Sequence, residues 1–360
     1  MSNISEQWHG QSVFVTGHTG FKGGWLSLWL HTLGAKVHGY SLDPPTSPAF
    51  FDVIHIADTL ASDVRADLAD IACLRSALEA AQPQVLFHLA AQPLVRESYR
   101  DPLGTFATNI MGTANLLEAM RGIDSIRAAV LITTDKVYLN RERPQPYCET
   151  DQLGGHDPYS ASKAATEIVA ASYRASFFTG PDAHPAQIAT ARAGNVIGGG
   201  DWATDRLVPD CLRSFAAGQP VFLRSPDAVR PWQHVLEPLA GYLQLAQHLL
   251  SSEGEQFARA WNFGPDDQAE ATVMTVARSL ARLWGGGALV ESSTACGHPH
   301  EAGLLHLDSS AARETLSWRP RWSLEQALEQ TVAWQRAMLR GDDMAAVSRN
   351  QLHAYRESEG

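Results

Sequence analysis

Tyr159 and Lys163 close the run Tyr159-Ser160-Ala161-Ser162-Lys163, a four-residue spacing that sets both side chains on one face of a helix. A free phenol titrates near pH ~10 and is a poor base at neutrality. An ammonium one turn away stabilises the phenolate and makes tyrosine a usable proton acceptor. A second cluster is Thr133-Thr134-Asp135-Lys136, where the apolar run Ala129–Ile132 turns abruptly polar. The carboxyl ends of parallel strands form the ligand crevice of such sheets, so an acid, an amine and two hydroxyls there stand where chemistry is done. The third cluster is the run Thr16-Gly17-His18-Thr19-Gly20-Phe21-Lys22-Gly23. Glycines at three-residue spacing let the backbone approach a pyrophosphate, and the helix start that follows offers unpaired N–H groups and a partial positive charge. Tyr-x-x-x-Lys occurs by chance in many chains and glycine turns before helices are common. All three in this order make chance a poor explanation.

The elements that position these residues read as alternating strands and helices. Val13-Phe14-Val15 is a short buried strand leading into the glycine turn, and Trp25, Leu26, Leu28, Trp29 and Leu33 continue with helical spacing to a stop at Gly34. Lys36–Tyr40 is a second strand. Asp43 follows 20 residues after Gly23, about where a dinucleotide fold places the acid for the adenosine ribose hydroxyls. No Lys or Arg occurs from Tyr40 to Asp52 to meet a 2′-phosphate, which favours NAD over NADP. Within the run Asp63–Leu68, Asp67 follows a third strand, where its carboxylate is placed to accept from an adenine amino group with Leu68 beside it, and 70–81 is a helix. Val85–Gln92 is a buried strand whose small end (Ala90, Ala91, Gln92) lets a flat cofactor lie on the backbone; His88 within it reads as a core histidine. Helix 105–120 carries one odd polar residue, Asn109; 159–175 is a further helix, and 188–192 a strand ending at Gly194-Asn195.

This alternation predicts an α/β fold, a Rossmann-type doubly wound parallel sheet. Regularity breaks down at Gly198–Trp202 and Arg206–Pro209, which predicts a smaller, mixed α/β C-terminal substrate-binding domain. The expected division is a dinucleotide domain over 1–190, completed by part of 232–262, a substrate domain over 191–345 and a polar tail over 346–360. Ser323 and Gln326 form a capping box ahead of helix 324–339, and the tail after Gly341 is expected to be mobile.

Composition narrows the function. The chain has 360 residues, enough for a sizeable core, and its net charge of −11 comes without a basic run, which argues against nucleic-acid or membrane-surface partners. Cys73, Cys148, Cys211 and Cys296 are far apart with no Cys-x-x-Cys pair, which predicts reduced thiols and no structural metal. Residues 1–10 lack an apolar signal core and no stretch reaches the ~20 apolar residues of a membrane span. A cytoplasmic protein is expected.

Taken together, TGHTGFKG at Thr16–Gly23, HLAAQ at His88–Gln92 and YSASK at Tyr159–Lys163 resemble the extended short-chain dehydrogenase/reductase family. Longer segments are similar to its CDP-glucose 4,6-dehydratase branch: Ala90–Ala119, TTDKVY at Thr133–Tyr138, Ala191–Asp210 and Arg230–Leu243. The resemblance runs from about residue 10 to 340 and implies NAD as cofactor, a nucleotide sugar such as CDP-glucose as substrate, a place in deoxysugar biosynthesis and a homodimer or homotetramer. It further implies that Tyr159 takes the proton of the sugar 4-hydroxyl while hydride leaves C4 for NAD, with Lys163 supporting it and Thr134 bonding the 4-oxygen. Asp135 is then the acid for the departing 6-hydroxyl, provided burial keeps it protonated. Related dehydratases carry Glu as the C5 base where this chain has Lys136, which serves as base only with a strongly lowered pKa and otherwise orients the sugar. Arg206 and Arg230 would hold the substrate diphosphate, Asn195 a diphosphate oxygen or sugar hydroxyl, and Arg96 and His156 the sugar. Thr133 replaces the usual Ser and keeps the hydroxyl. The nearest rival is a 4-epimerase on the same fold, which has no use for Asp135 and Lys136; a non-catalytic NAD-sensing protein is opposed by the complete Tyr, Lys and Thr set.

Overall fold

The computed structural model describes residues 7–265, 270–292 and 304–358, so Cys296 lies outside the described residues. Strand β1 (Ser12–Thr16) begins a seven-stranded sheet with β2 (Lys36–Ser41), β3 (Ser62–Arg65), β4 (Val85–His88), β5 (Ala128–Ile132), β6 (Gln187–Arg192) and β7 (Ala260–Asn262). The spatial order is β3-β2-β1-β4-β5-β6-β7, and every pairing is parallel. Helices cover both faces, as an all-parallel sheet requires. Val13, Phe14 and Val15 of β1 are at most 1% exposed and alternate between two cores. At about 1.5–3 kcal/mol per fully buried side chain, they fix the point from which the glycine turn departs.

One core lies under helices α1 (Phe21–Thr32), in which eight consecutive residues from Gly23 to Leu30 are buried, and α4 (Leu236–Leu249). The other lies under α2 (Ile71–Ala81), the helix Gly112–Met120 and α3 (Pro158–Phe177). A third cluster builds the smaller region from helices Leu207–Ala216 and Val273–Trp284 and short strand pairs, 221–223 with 290–292 (parallel) and 229–231 with 270–272 (antiparallel). Among the described residues no helix is long and apolar enough to cross a membrane, and the described cysteines Cys73, Cys148 and Cys211 are free.

The sequence reading departs from the structure in three elements. Helix 105–120 is broken into Pro102–Phe106, a π turn at Ala107–Met111 and Gly112–Met120; the wide turn falls at Asn109, whose buried side chain bonds across to other elements. The strand read over Val85–Gln92 stops at His88, whereas Asp67 follows the third strand, Ser62–Arg65, as expected. The tail expected to be mobile is helix α6 (Met344–Glu357), capped by Asp343 and following α5 (Leu324–Arg340), whose capping box at Ser323 and Gln326 is formed. Leu352 and Tyr355 are buried, and Trp334 of α5 donates its indole N–H to Ser348 at 2.9 Å.

Candidate active site

At the topological switch between β1 and β4 a cavity of about 1040 Å³ runs from the glycine turn, past the end of β5, to the smaller region. The turn leaves β1 with Gly17 at φ +73°, a left-handed conformation that suits glycine. A Cβ on Gly17 would stand 2.6 Å from the Ala90 nitrogen and one on Gly23 2.0 Å from the Gly17 oxygen, so both glycines are needed for close packing. Gly20 is different: a Cβ there would meet nothing nearer than the Gly17 oxygen at 3.4 Å. Gly20 is also the N-cap of α1, with no side chain capping the helix. An anion can therefore approach these N–H groups closely. Phe21, Lys22, Ala90, Ala91, Asp67 and Leu68 line the same trough. Thr19, also in the lining, is fixed by hydrogen bonds to the Ser41 hydroxyl (2.8 Å) and the Leu42 carbonyl (3.0 Å).

Three residues read as cofactor contacts do not line the cavity; they hold its walls. Thr16 hydrogen-bonds the His88 ring at 2.7 Å, and its hydroxyl accepts from the Ala90 amide at 3.3 Å. Asn109 accepts from the Gln92 amide at 2.9 Å and donates to Ser162 of α3 at 2.8 Å, while the Gln92 side chain donates to Thr105. These side chains satisfy backbone groups at an irregular strand end. His88 is the core histidine expected, bonded to Thr16 and Thr113 and pushed down to about 3 by burial.

At the far end of the trough Asp43 is 90% exposed and 3.6 Å from Arg65. No cation lies in the segment from 40 to 52, but β3 supplies this one from the neighbouring strand. Asp63 holds the Arg65 guanidinium by two hydrogen bonds of 2.7 and 2.8 Å.

The reacting groups gather where β5 ends. Thr133 is tied to β6 through its amide and the Ala191 carbonyl (2.9 Å). Thr134 is extended and caps the short turn Asp135–Val137, and its hydroxyl donates to Asp135 Oδ1 at 2.9 Å. Asp135 is 1% exposed, and its Oδ2 has no hydrogen-bond partner among the described residues. Gly194 makes room for it: a Cβ there would stand 1.9 Å from that oxygen. Lys136 lines the cavity beside it. From α3, whose Asp157 cap accepts from the Ser160 amide, Tyr159 and Lys163 face the same space. Burial pushes the Tyr159 phenol up to about 12, opposed by a hydrogen bond with Thr134 and by the Arg206 charge. Burial also lowers the Lys163 amine to about 8, opposed by Glu167. In the chain alone desolvation governs the phenol.

Cations collect around this centre. Burial, with repulsion from Arg206 and Lys163 and attraction from Asp135, brings Lys22 down to about 7. Arg206 is paired with Asp201 at 2.9 Å, and Arg230, 8% exposed, donates to its neighbour's carbonyl at 2.9 Å; both line the cavity. Asn195 lines it in a left-handed conformation (φ 42°) with a buried amide nitrogen lacking a partner among the described residues. Arg96 also lines it and donates to Asp205 at 3.0 Å. Asp205 binds Arg224 as well, at 3.0 Å, and Arg224 is a lining cation that the sequence reading missed. His156, just before α3, is exposed and is not among the lining residues.

Comparison with known proteins bears on this arrangement. Residues 14–331 match the family described as GDP-mannose 4,6 dehydratase. The chain is 48% identical over 352 residues, 97% of both chains, to a CDP-glucose 4,6-dehydratase of Salmonella typhimurium. A UDP-glucose 4-epimerase from Stenotrophomonas maltophila with bound NAD has the same fold, with a TM-score of 0.78 at 23% identity over 92% of this chain and 99% of that one. So has a dTDP-glucose 4,6-dehydratase double mutant from Streptomyces venezuelae with NAD bound, with a TM-score of 0.77 at 21% identity over 92% and 98%. The fold alone is common to epimerases and dehydratases, whereas the family match spans sheet, strand end and smaller region together. The chain belongs to the GDP-mannose 4,6 dehydratase family of nucleotide-sugar dehydratases, on the extended short-chain dehydrogenase/reductase fold.

Proposed function

We propose that the chain is an NAD-dependent 4,6-dehydratase of CDP-glucose, forming CDP-4-keto-6-deoxyglucose. The observation that carries this reading is Asp135. It is a buried carboxyl group with one oxygen unpartnered among the described residues, at the strand end beside Thr134 and in the cavity lined by Tyr159. An epimerase has no task for it. The choice of CDP-glucose is supported by the 48% identity to the Salmonella enzyme. The trough fits a dinucleotide: an open glycine at an uncapped helix start, a small-residue strand end and an acid at the ribose end. When bound, NAD supplies the acceptor for the C4 hydride and the donor that returns it to C6.

The side chains divide the remaining work. Tyr159 removes the proton of the 4-hydroxyl, and Thr134 bonds the 4-oxygen. The resulting ketone acidifies the C5 proton. Asp135 then gives a proton to the 6-hydroxyl as it leaves, and Lys136, adjacent in the cavity, is the group nearest in sequence for the C5 side of the elimination. Arg206, Arg230, Arg96 and Asn195 bind the diphosphate and sugar. Lys163 holds positive charge beside the phenol. We assign a homodimer to the exposed apolar side chains Leu103, Met111 and Ile168, on the adjacent segments 102–120 and α3, and a cytoplasmic location to the free described thiols.

The test is turnover of CDP-, dTDP-, UDP- and GDP-sugars by wild type and Asp135→Asn. Only CDP-glucose should give a 4-keto-6-deoxy product, and the substitution should lower kcat about 10²–10⁴-fold, the range of a lost general acid, with dinucleotide affinity unchanged. Conversion of another nucleotide sugar in preference to CDP-glucose would overturn the substrate, and an indifferent Asp135→Asn the dehydration.

A further inference from the structure

We propose that Glu167 is a positioning residue for proton transfer at Tyr159, acting through Lys163 and Thr133. The proposal rests on the dehydratase reading of the site. Tyr159, Lys163 and Glu167 recur at four-residue spacing along α3 and so share one face. Glu167 is 4% exposed and every oxygen is engaged. Oε1 accepts from the Thr133 hydroxyl at 2.5 Å and from Arg192 Nε at 2.9 Å. Oε2 accepts from the Thr190 hydroxyl at 2.6 Å and from Arg192 Nη2 at 3.0 Å. Arg192 in turn donates to the Tyr138 hydroxyl at 2.8 Å, which donates to Asn262 of β7 at 2.7 Å. One carboxylate thus fixes the helix bearing the base, the β5 end bearing Thr134 and Asp135, and two further strands.

Stability is a weak reason to bury this pair, since desolvation of two charges largely cancels their attraction. Its charge is useful where it stands. Lys163 donates to the Ile132 carbonyl at 3.2 Å, and burial disfavours its ammonium. Around it are Tyr159 on its own helix, Lys22 from the start of α1, neutral His88 from β4, and Asp135 beyond β5. Arg192 and Arg174 sit on the far side of Glu167. Burial opposes the ammonium, and Glu167 is the charge that favours it. Without that charge Lys163 loses its proton at lower pH, and the phenolate loses its support.

The experiment compares wild type, Glu167→Gln and Glu167→Asp by two readouts. One is the titration of Lys163 by ¹³Cε-lysine NMR on the protein without substrate, its signal assigned with Lys163→Arg. The other is the pH profile of kcat for the 4-keto-6-deoxy product. In Glu167→Gln the Lys163 midpoint should fall by about one pH unit, and the basic limb of kcat should move with it. Glu167→Asp, which keeps the charge, should restore both. An unchanged midpoint, with activity lost evenly across pH in step with melting temperature, would overturn the proposal in favour of a structural role. If Glu167→Gln leaves Arg192 unpaired and does not fold, Glu167→Gln/Arg192→Met carries both readouts, and a wild-type midpoint there is equally fatal. Absence of a 4-keto product from wild type would sink the dehydratase reading, while the NMR titration would still judge Glu167.

Discussion

Lys22 illustrates how one side chain can couple the cofactor trough to the reacting centre. It follows the glycine turn, yet its amine feels Arg206, Lys163 and Asp135 as well as its own burial, which together bring it to about 7. A bound pyrophosphate adds negative charge and must raise that value, so binding takes up a proton at and above pH 7. Affinity of the apo chain for NAD should therefore fall as pH rises through neutrality, by up to about tenfold per unit while Lys22 titrates. Calorimetry in two buffers of different ionisation enthalpy should register proton uptake at pH 7.5; release or none would remove Lys22 from the pyrophosphate. The residue was legible because it sits inside a motif, as were Tyr159, Lys163 and Asp135. Arg224, Arg65 and Gly194 were not legible. Their partners, Asp205, Asp43 and Asp135, lie in other segments, and only folding brings them together. Thr16, Gln92 and Asn109 bond to the walls of the trough, and a polar side chain beside a ligand and one serving the backbone have the same sequence signal.

Elements were readable where their pattern was strong. Buried apolar runs gave the strands, and glycine or a capping box gave the helix ends. α6 was missed because its polar composition hides a buried stripe of mixed character: Met344, Ser348, Gln351, Leu352 and Tyr355 are buried at helical spacing. What pins it is Glu237 at the start of α4, whose Oε2 accepts from the Tyr355 hydroxyl at 2.7 Å and the Arg321 amide at 3.0 Å, and whose Oε1 accepts from the Trp322 amide at 2.8 Å. Arg321 reaches the carbonyls of Tyr355, Arg356 and Ser358 at the helix end. Burial raises Glu237 to about 7 despite these donors. A carboxyl group raised on folding binds its proton more tightly in the native state, so its contribution is fully present below about pH 4.5 and is lost as pH rises towards 7. Urea unfolding should show this as a fall on the order of 2–3 kcal/mol across that window, and Glu237→Gln should flatten it. An unchanged slope in the variant would assign the pH dependence to other groups.

At the scale of the molecule, the doubly wound sheet followed from the strand–helix alternation. The smaller region was expected from the break in that alternation but its pairings were not, because its strands are two or three residues long and pair across wide gaps, 229–231 with 270–272 and 221–223 with 290–292. Between the two parts lies one continuous cavity, glycine turn at one end and arginines at the other, with Thr134, Asp135, Lys136 and Tyr159 in its lining. A single chamber of this kind suits a reaction that removes a hydride from one carbon of a sugar and returns it to another without releasing the intermediate. The direct measurement is incubation with CDP-glucose carrying deuterium at C4 and analysis of the product by NMR and mass spectrometry. The account predicts deuterium at C6 of a 4-keto-6-deoxy sugar, with no net consumption of NAD. Deuterium returned to C4 of an epimerised sugar, or a 4-keto product whose C6 carries only solvent hydrogen, would contradict it.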